Sequence, residues 1–420
     1  MNILILGSGG REHAMAAKIA ESAHCSKLFV APGNPGMNNI ATVVNVATSA
    51  FEDISNLIKT EKIDILIVGP EQPLVDGIAD YLEDIHEQLL IVGPKKYGAQ
   101  LEGSKAFAKE FMQRHHIPTA AYFECTTHNL EEGMAYLEQT SPPYVLKADG
   151  LAAGKGVLIL NDLVEAKAEL KSMLEGKFGP ASSKVVIEAF LDGIEFSVFV
   201  LTDGFDYVLL PEAKDYKRIG EGDTGLNTGG MGAISPVPFF KGDMKIKVLN
   251  NIIEPTVKGL AKDGIPYVGF IFFGLIMVEN EPFVIEYNCR MGDPETEAVF
   301  PRIKSDFVEL LIAIQNGNLH DTQMEVIDET AGTIILVSGG YPGDYLKGLE
   351  INGLENVSGS LVYHSGTAAK SDKIITNGGR VLAITTIAED FKKAIEVSKQ
   401  NAEKINWAGK YFRKDIGFDL

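Results

Sequence analysis

Apolar residues recur along this chain in short unbroken runs, set off by glycine or proline and by stretches with helical spacing. Residues 1–6 form such a run, which ends at Gly7-Ser8-Gly9-Gly10 and gives way to a helix pattern over 11–22. Further apolar runs at 28–31, 63–68 and 90–93 repeat the order strand, turn, helix. Continuous apolar strands alternating with helices describe an open parallel sheet covered on both faces. The pattern predicts a Rossmann-like domain over residues 1–103.

Beyond it, Ser104 is placed to cap a helix over 105–114, whose apolar stripe is Phe107, Ala108, Phe111 and Met112. Short strands are predicted at 144–147, 156–160 and 184–189. A hairpin follows at 268–278 and 283–286, then a helix at about 306–315. These elements make a central α+β unit over 104–325. Strands at 332–337 and 380–385 and a helix at 388–405 predict a separate α+β domain over 326–420. The expected fold class is therefore multi-domain α/β.

Composition narrows the function classes. At 420 residues the chain exceeds what one hydrophobic core supports, since cores stop growing near ~250–300 residues. A net charge of −19 argues against nucleic acid or an anionic membrane as partner, though a local basic pocket still admits an anionic substrate. Cys25, Cys125 and Cys289 form neither a disulfide framework nor a zinc pattern. No segment approaches ~18 uninterrupted apolar residues, and the first apolar run is far too short for a signal peptide. A cytoplasmic monomer acting on small molecules is expected.

Candidate chemistry concentrates in Glu286-Tyr287-Asn288-Cys289-Arg290-Met291-Gly292-Asp293-Pro294-Glu295-Thr296. Period two puts Glu286, Asn288 and Arg290 on one face of an extended segment. A carboxylate beside an amide oxygen suits a hard cation such as Mg²⁺, and the arginine adds a planar fork for phosphate or carboxylate. Lys105 opens a helix where an anion is favoured, which implies an anionic ligand nearby. Gly9, Gly10, Arg11 and Glu12 follow the first strand, where backbone N–H groups bind phosphate. Glu12 stands where a dinucleotide fingerprint needs glycine, and residues 28–33 supply no ribose-binding acid, which disfavours a nicotinamide cofactor. Glu71 lies just past the strand over 63–68, where parallel sheets place ligands. The segment over 213–232 is rich in glycine and carries Asp215, Lys217, Arg218, Asn227, Gly229 and Gly230, an arrangement able to wrap backbone N–H groups round an anion.

The 286–296 motif resembles that of the phosphoribosylamine–glycine ligase family of the ATP-grasp superfamily. The likeness continues through residues 7–13, 32–36, 68–74, 101–107, 146–157, 215–236, 339–345 and 413–417. It implies an ATP-grasp central unit with a lid at about 120–190, using ATP and Mg²⁺ or Mn²⁺ on Glu286 and Asn288. Lys105, Lys147, Gly154, Lys155 and Gly156 would lie on the ATP phosphates, with Glu188, Ala189, Phe190, Leu191 and Glu195 on the nucleoside. Arg290, Lys147 and Lys105 would be catalytic. Gly9, Gly10, Arg11, Glu12, Glu71, Asp215, Lys217, Arg218, Asn227, Gly229, Gly230 and Asp293 would bind phosphoribosylamine and glycine. The implied reaction is the second step of purine biosynthesis, through a glycyl phosphate intermediate.

Two positions depart from the family pattern: Lys214 replaces a common glutamine and Leu226 a common proline. Another ATP-grasp ligase with a different acceptor, and a nucleotide-binding regulator without turnover, are the competing readings. Arg380 is within the range of a substrate phosphate, but Arg413 and Asp415 read as a domain-docking ion pair.

Overall fold

The computed structural model describes residues 1–151, 156–179 and 183–420. Strands β1 (Asn2–Gly7), β2 (Lys27–Pro32), β3 (Thr42–Val43), β4 (Ile65–Val68) and β5 (Leu90–Val92) form one sheet in the order β3-β2-β1-β4-β5. All its pairings are parallel. Leu4 and Leu6 pack into one buried cluster, Ile3 and Ile5 into another, so both faces of β1 are covered. That is why its sequence reads as an unbroken apolar run.

A second sheet, in the order β6-β9-β7-β8, joins β6 (Tyr122–Cys125), β7 (Tyr144–Ala148), β8 (Val157–Leu160) and β9 (Val185–Ala189). The helices Leu130–Gln139 and Leu163–Leu174 close its core through Leu137, Ala166 and Leu170. This unit covers most of the expected lid range.

The third sheet contains β10 (Ile194–Thr202) and β11 (Tyr207–Asp215), which carry no strand prediction above. A hairpin of β12 (Arg218–Gly220) and β13 (Thr224–Asn227) stands apart from it. Then come β14 (Gly232–Ser235), β15 (Gly269–Val278), β16 (Glu281–Asn288), β17 (Thr330–Val337), β18 (Leu361–His364) and, after the hairpin of β19 (Thr367–Lys370) and β20 (Lys373–Thr376), β21 (Arg380–Ala388). The order is β16-β15-β10-β11-β14-β17-β21-β18. The C-terminal strands thus continue the central sheet through β14 and β17, whose register pairs Gly232 with Ile334 and Ser235 with Ala331. Residues 330 onward have their own buried cluster around Trp407 and Ile384, but their sheet is not separate. Among the described residues no helix is long and apolar enough to cross a membrane.

Candidate functional site

β16 runs two residues beyond its expected end, and it is not regular. Leu275 pairs with Val284, while Gly274 pairs with Glu286, so Ile285 is an extra residue. This bulge changes which positions face the core. Val284 is buried before it, and Tyr287 and Cys289 after it. Glu286, Asn288 and Arg290 consequently share the face opposite Tyr287 and Cys289, as the spacing predicts. Ile285 and Glu286 both line a small cleft, with Glu195 and Ser197 of β10, Asp215 of β11, and Lys217.

Within the cleft the Lys217 ammonium lies 2.6 Å from Glu195. Lys217 holds the Glu195 carboxyl below the usual range, against the effect of burial. Burial raises Asp215, with Lys217 opposing and Glu195 and Glu286 adding to the rise. Burial also works against the Lys217 charge, but Glu195, Asp215 and Glu286 outweigh it and hold its pKa well above normal. β15 supplies no carboxylate here. Gly274 instead leaves room, since a Cβ would lie 3.0 Å from Glu286 Cγ.

Lys105 and Lys147 approach from the other side. Ser104 caps the helix Lys105–Arg114, as expected, and its hydroxyl also donates to Asp149 at 3.0 Å. Asp149 accepts from the Ala106 N–H at 2.8 Å, and Lys105 Nζ donates to the Gly150 carbonyl at 3.2 Å. The anion at this helix start is therefore supplied by the chain itself. Burial lowers the Lys105 pKa, with Glu286 opposing and Lys147 assisting. Lys147 lies 2.9 Å from one Glu188 oxygen, and Lys109 lies 3.0 Å from the other. Glu188 is thus enclosed by two lysines rather than turned toward solvent. Ala189 ends β9, and Phe190, which is exposed, and Leu191 begin the link to β10. Gly156 is buried, whereas Gly154 and Lys155 lie outside the described residues.

The same segment then reaches the N-terminal domain. Arg290 pairs with Glu102 at 2.9 Å and Glu71 at 3.3 Å. Glu102 also accepts from the Cys289 N–H at 2.8 Å. The Asn288 amide is oriented by its surroundings: its nitrogen belongs on the side of Glu102 Oε1, 2.9 Å away, with the amide oxygen opposite. Burial raises the Glu71 carboxyl, but Arg290 and Arg11 override it and keep it below normal. Arg11 donates to the Met291 carbonyl at 3.1 Å and pairs with Glu12 at 2.6 Å.

Glu12 accepts from the Gly9 N–H at 2.6 Å. Its side chain fills the space that a Cβ on Gly7 or Gly69 would need. The turn after β1 is closed by this carboxylate, which stands where a dinucleotide pyrophosphate would lie. Asp293 pairs with Arg380 at 2.9 Å, and Arg380 also donates to the Asp293 carbonyl at 2.7 Å and to the Gly229 carbonyl. A Cβ on Gly9 would lie 3.2 Å from Asp293, and Gly230 packs on Pro294. Gly9, Asp293, Gly229 and Gly230 therefore meet around one arginine, while Gly10 packs against Glu297.

The glycine-rich segment departs from expectation. Its N–H groups at Gly222, Gly229 and Gly230 go to Asp415, the Tyr341 hydroxyl and the Thr228 hydroxyl. The C-terminal residues supply the first two acceptors by folding over the segment, and the segment supplies the third itself. Arg218 donates to the Gly225 carbonyl at 2.9 Å and sits opposite Asn227 in the β12–β13 hairpin, so neither lines the cleft. Arg413 is fully buried, 2.6 Å from Asp223 and 2.8 Å from Asp415, the docking role its charge suggests. Lys214 reaches Asp419 at 3.1 Å, and Leu226 is exposed on the hairpin.

Sequence reasoning missed Glu102, Lys109, Ser197 and Glu295. Glu102 lies beside the Ser104-Lys105 motif, which is a usable signal. Glu295 stands inside the 286–296 motif, a signal that went unused, whereas Ser197 carries none until the strands are paired.

Family profiles described as phosphoribosylglycinamide synthetase match in three parts: the N domain over residues 1–102, the ATP-grasp (A) domain over 103–296 and the C domain over 331–419. A phosphoribosylamine–glycine ligase from Pasteurella multocida is 47% identical over 424 aligned residues, covering 100% of this chain and 98% of the relative. One from Caldanaerobacter subterraneus is 43% identical over 417, covering 99% of each. A crystal structure of the Thermotoga maritima phosphoribosylamine–glycine ligase superposes with a TM-score of 0.84 at 34% identity, covering 99% of this chain and 100% of that one. The biotin carboxylase domain of Hydrogenobacter thermophilus 2-oxoglutarate carboxylase shares the fold, with a TM-score of 0.73 at 16% identity over 99% of this chain and 92% of that one.

Proposed function

The chain belongs to the phosphoribosylglycinamide synthetase family and is an ATP-dependent, ADP-forming phosphoribosylamine–glycine ligase, and from that premise we propose how its residues divide the work. The reaction joins glycine to phosphoribosylamine in the second step of purine biosynthesis. ATP-grasp enzymes use ATP with a divalent cation. In our reading the cation is Mg²⁺, with Mn²⁺ as substitute, held by Glu286 and the Asn288 amide oxygen. The fit lies in the donors: hard oxygens, beside a cleft where Glu195 and Asp215 add negative charge. When bound, the cation neutralises phosphate charge during transfer.

The glycine carboxylate attacks the γ-phosphate to give glycyl phosphate, and the amine of phosphoribosylamine then displaces phosphate from the acyl carbon. Crowded anions make charge neutralisation the main demand. Lys105 and Lys147 face the triphosphate, with Gly156 bordering it. Residues 189–191 border the adenine, Glu188 orients Lys147, and Glu195 takes the ribose. Arg290 lies along the transferred group, while Glu71, Arg11, Asp293, Gly9 and Gly10 border the phosphoribosylamine. Asp215 and Lys217 lie between the two. The carrying observation is that Glu286 sits in the field of both Lys105 and Lys217. We propose that the chain acts as a monomer in the cytoplasm.

The test is phosphate release from ATP, omitting Mg²⁺, glycine or phosphoribosylamine in turn. Release that needs all three, matched by glycinamide ribonucleotide, supports the assignment. Glu286→Gln should then lower turnover by about 10²–10³-fold in a folded protein. Turnover near wild type in that variant would overturn the metal site.

A further inference from the structure

Amide formation leaves one proton to place. As the amine attacks the acyl carbon, a C–N bond forms, the C–O bond to phosphate breaks, and the nitrogen sheds a proton. Lys217 and Arg290, held protonated by the carboxylates around them, cannot take it. Ser197 lines the cleft beside Asp215 and Glu286. Ser197 is buried, and its cross-strand neighbours on that face, Ala213 on β11 and Gly274 on β15, are both small. Behind it, Ser197 Oγ donates to Glu295 Oε1 at 3.2 Å. Glu295 is buried at the start of the helix Glu295–Val299, in space that any side chain on Gly292 would occupy.

We propose that Glu295, acting through the Ser197 hydroxyl, accepts the proton of the attacking amine. The amine hydrogen passes to Ser197 Oγ while the Ser197 hydrogen passes to the Glu295 carboxylate, which becomes a carboxylic acid. The departing phosphate carries the proton out and restores the carboxylate. Ser197 is the catalytic contact and Glu295 the positioning residue behind it. The proposal rests on the acyl-phosphate route above. Electrostatics agree with it: burial and the Asp215 charge lift Glu295 to about 7, against Lys217 and Arg290, and Glu297 and Arg380 are also in its field. A carboxyl poised there both takes and returns a proton near neutral pH.

The two half-reactions separate the outcomes. Glycine-dependent exchange of label between ADP and ATP, without phosphoribosylamine, reads acyl phosphate formation. Glycinamide ribonucleotide production reads amide formation. In full-length Glu295→Gln, exchange should stay within about threefold of wild type while amide formation falls by roughly 10²–10³-fold. The rise of amide formation with pH through about 7 should disappear. Ser197→Ala should behave likewise and serves if Glu295→Gln does not fold, while Ser197→Thr, which keeps the hydroxyl, should retain most activity. Equal loss in both half-reactions, or a surviving pH limb, overturns the proposal. Absence of exchange in the wild type would overturn the acyl-phosphate route itself.

Discussion

Glu188 is buried between the ammonium groups of Lys147 and Lys109. Burial raises its carboxyl pKa, yet the two lysines hold it below normal, while burial carries Lys109 down to about 8. Breaking a buried pair strands the charge left behind. Glu188→Gln is therefore expected to destabilise the protein by about 3–5 kcal/mol, read from denaturant unfolding; an unchanged midpoint would refute the account. A second expectation concerns His13 and His364, joined where the N-terminal helix meets β18, with the His364 N–H donating to His13 Nδ1 at 2.8 Å. Burial, then the His364 charge, lowers His13 to about 3, and burial lowers His364 to about 4. Both stay neutral in the folded chain but take up protons near pH 6.5 when it unfolds. Stability should fall as pH drops from 6.5 toward 4, by up to ~1.4 kcal/mol per unit for each histidine. His13→Phe should flatten that slope in pH-dependent melts, and an unaltered slope would rule the pair out as its source.

At the scale of elements, the bulge at Ile285 and the small residue opposite it shape the cleft. Gly274 is paired with Ser197 and Glu286 in the middle of a strand, where glycine is intrinsically unfavourable. Valine would suit the strand but would put its Cβ 3.0 Å from Glu286 Cγ and 3.2 Å from Phe272. Gly274→Val should leave the melting temperature within a few degrees of wild type and lower turnover by roughly 10²-fold, the scale of a 1 Å misplacement. Full activity with intact folding would mean that the cleft tolerates narrowing. The strand and its polar period are legible in the sequence. The bulge is not, because a β-bulge depends on the partner strand, and only the pairing with β15 reveals it.

Across the whole molecule, the C-terminal residues do more than form a domain of their own. β17 extends the central sheet, Arg380 joins Asp293 to Gly229, and Arg413 holds the β12–β13 hairpin through Asp223 and the Arg218 carbonyl. Arg413→Ala should cost about 2–3 kcal/mol, less than a fully buried pair because Asp223 is half exposed. Denaturant unfolding reads that cost, and an unchanged midpoint would mean that Arg413 does not hold the hairpin in place.

Local order was written in the sequence by itself. The unbroken apolar runs announce a parallel sheet buried on both faces, Ser104 announces its helix, and Glu286-Tyr287-Asn288-Cys289-Arg290 announces a polar face on a strand. Each depends on neighbours within a few residues, so composition and spacing carry it. Tertiary structure alone decided that Glu188 is enclosed by Lys109, that Glu102 steadies Arg290, and that Ser197 opens onto the cleft with Glu295 behind it. Those contacts join residues about eighty to about one hundred and ninety positions apart through strand register and sheet order. No local pattern encodes them, because a side chain's partner across a sheet is chosen by the packing of the whole chain.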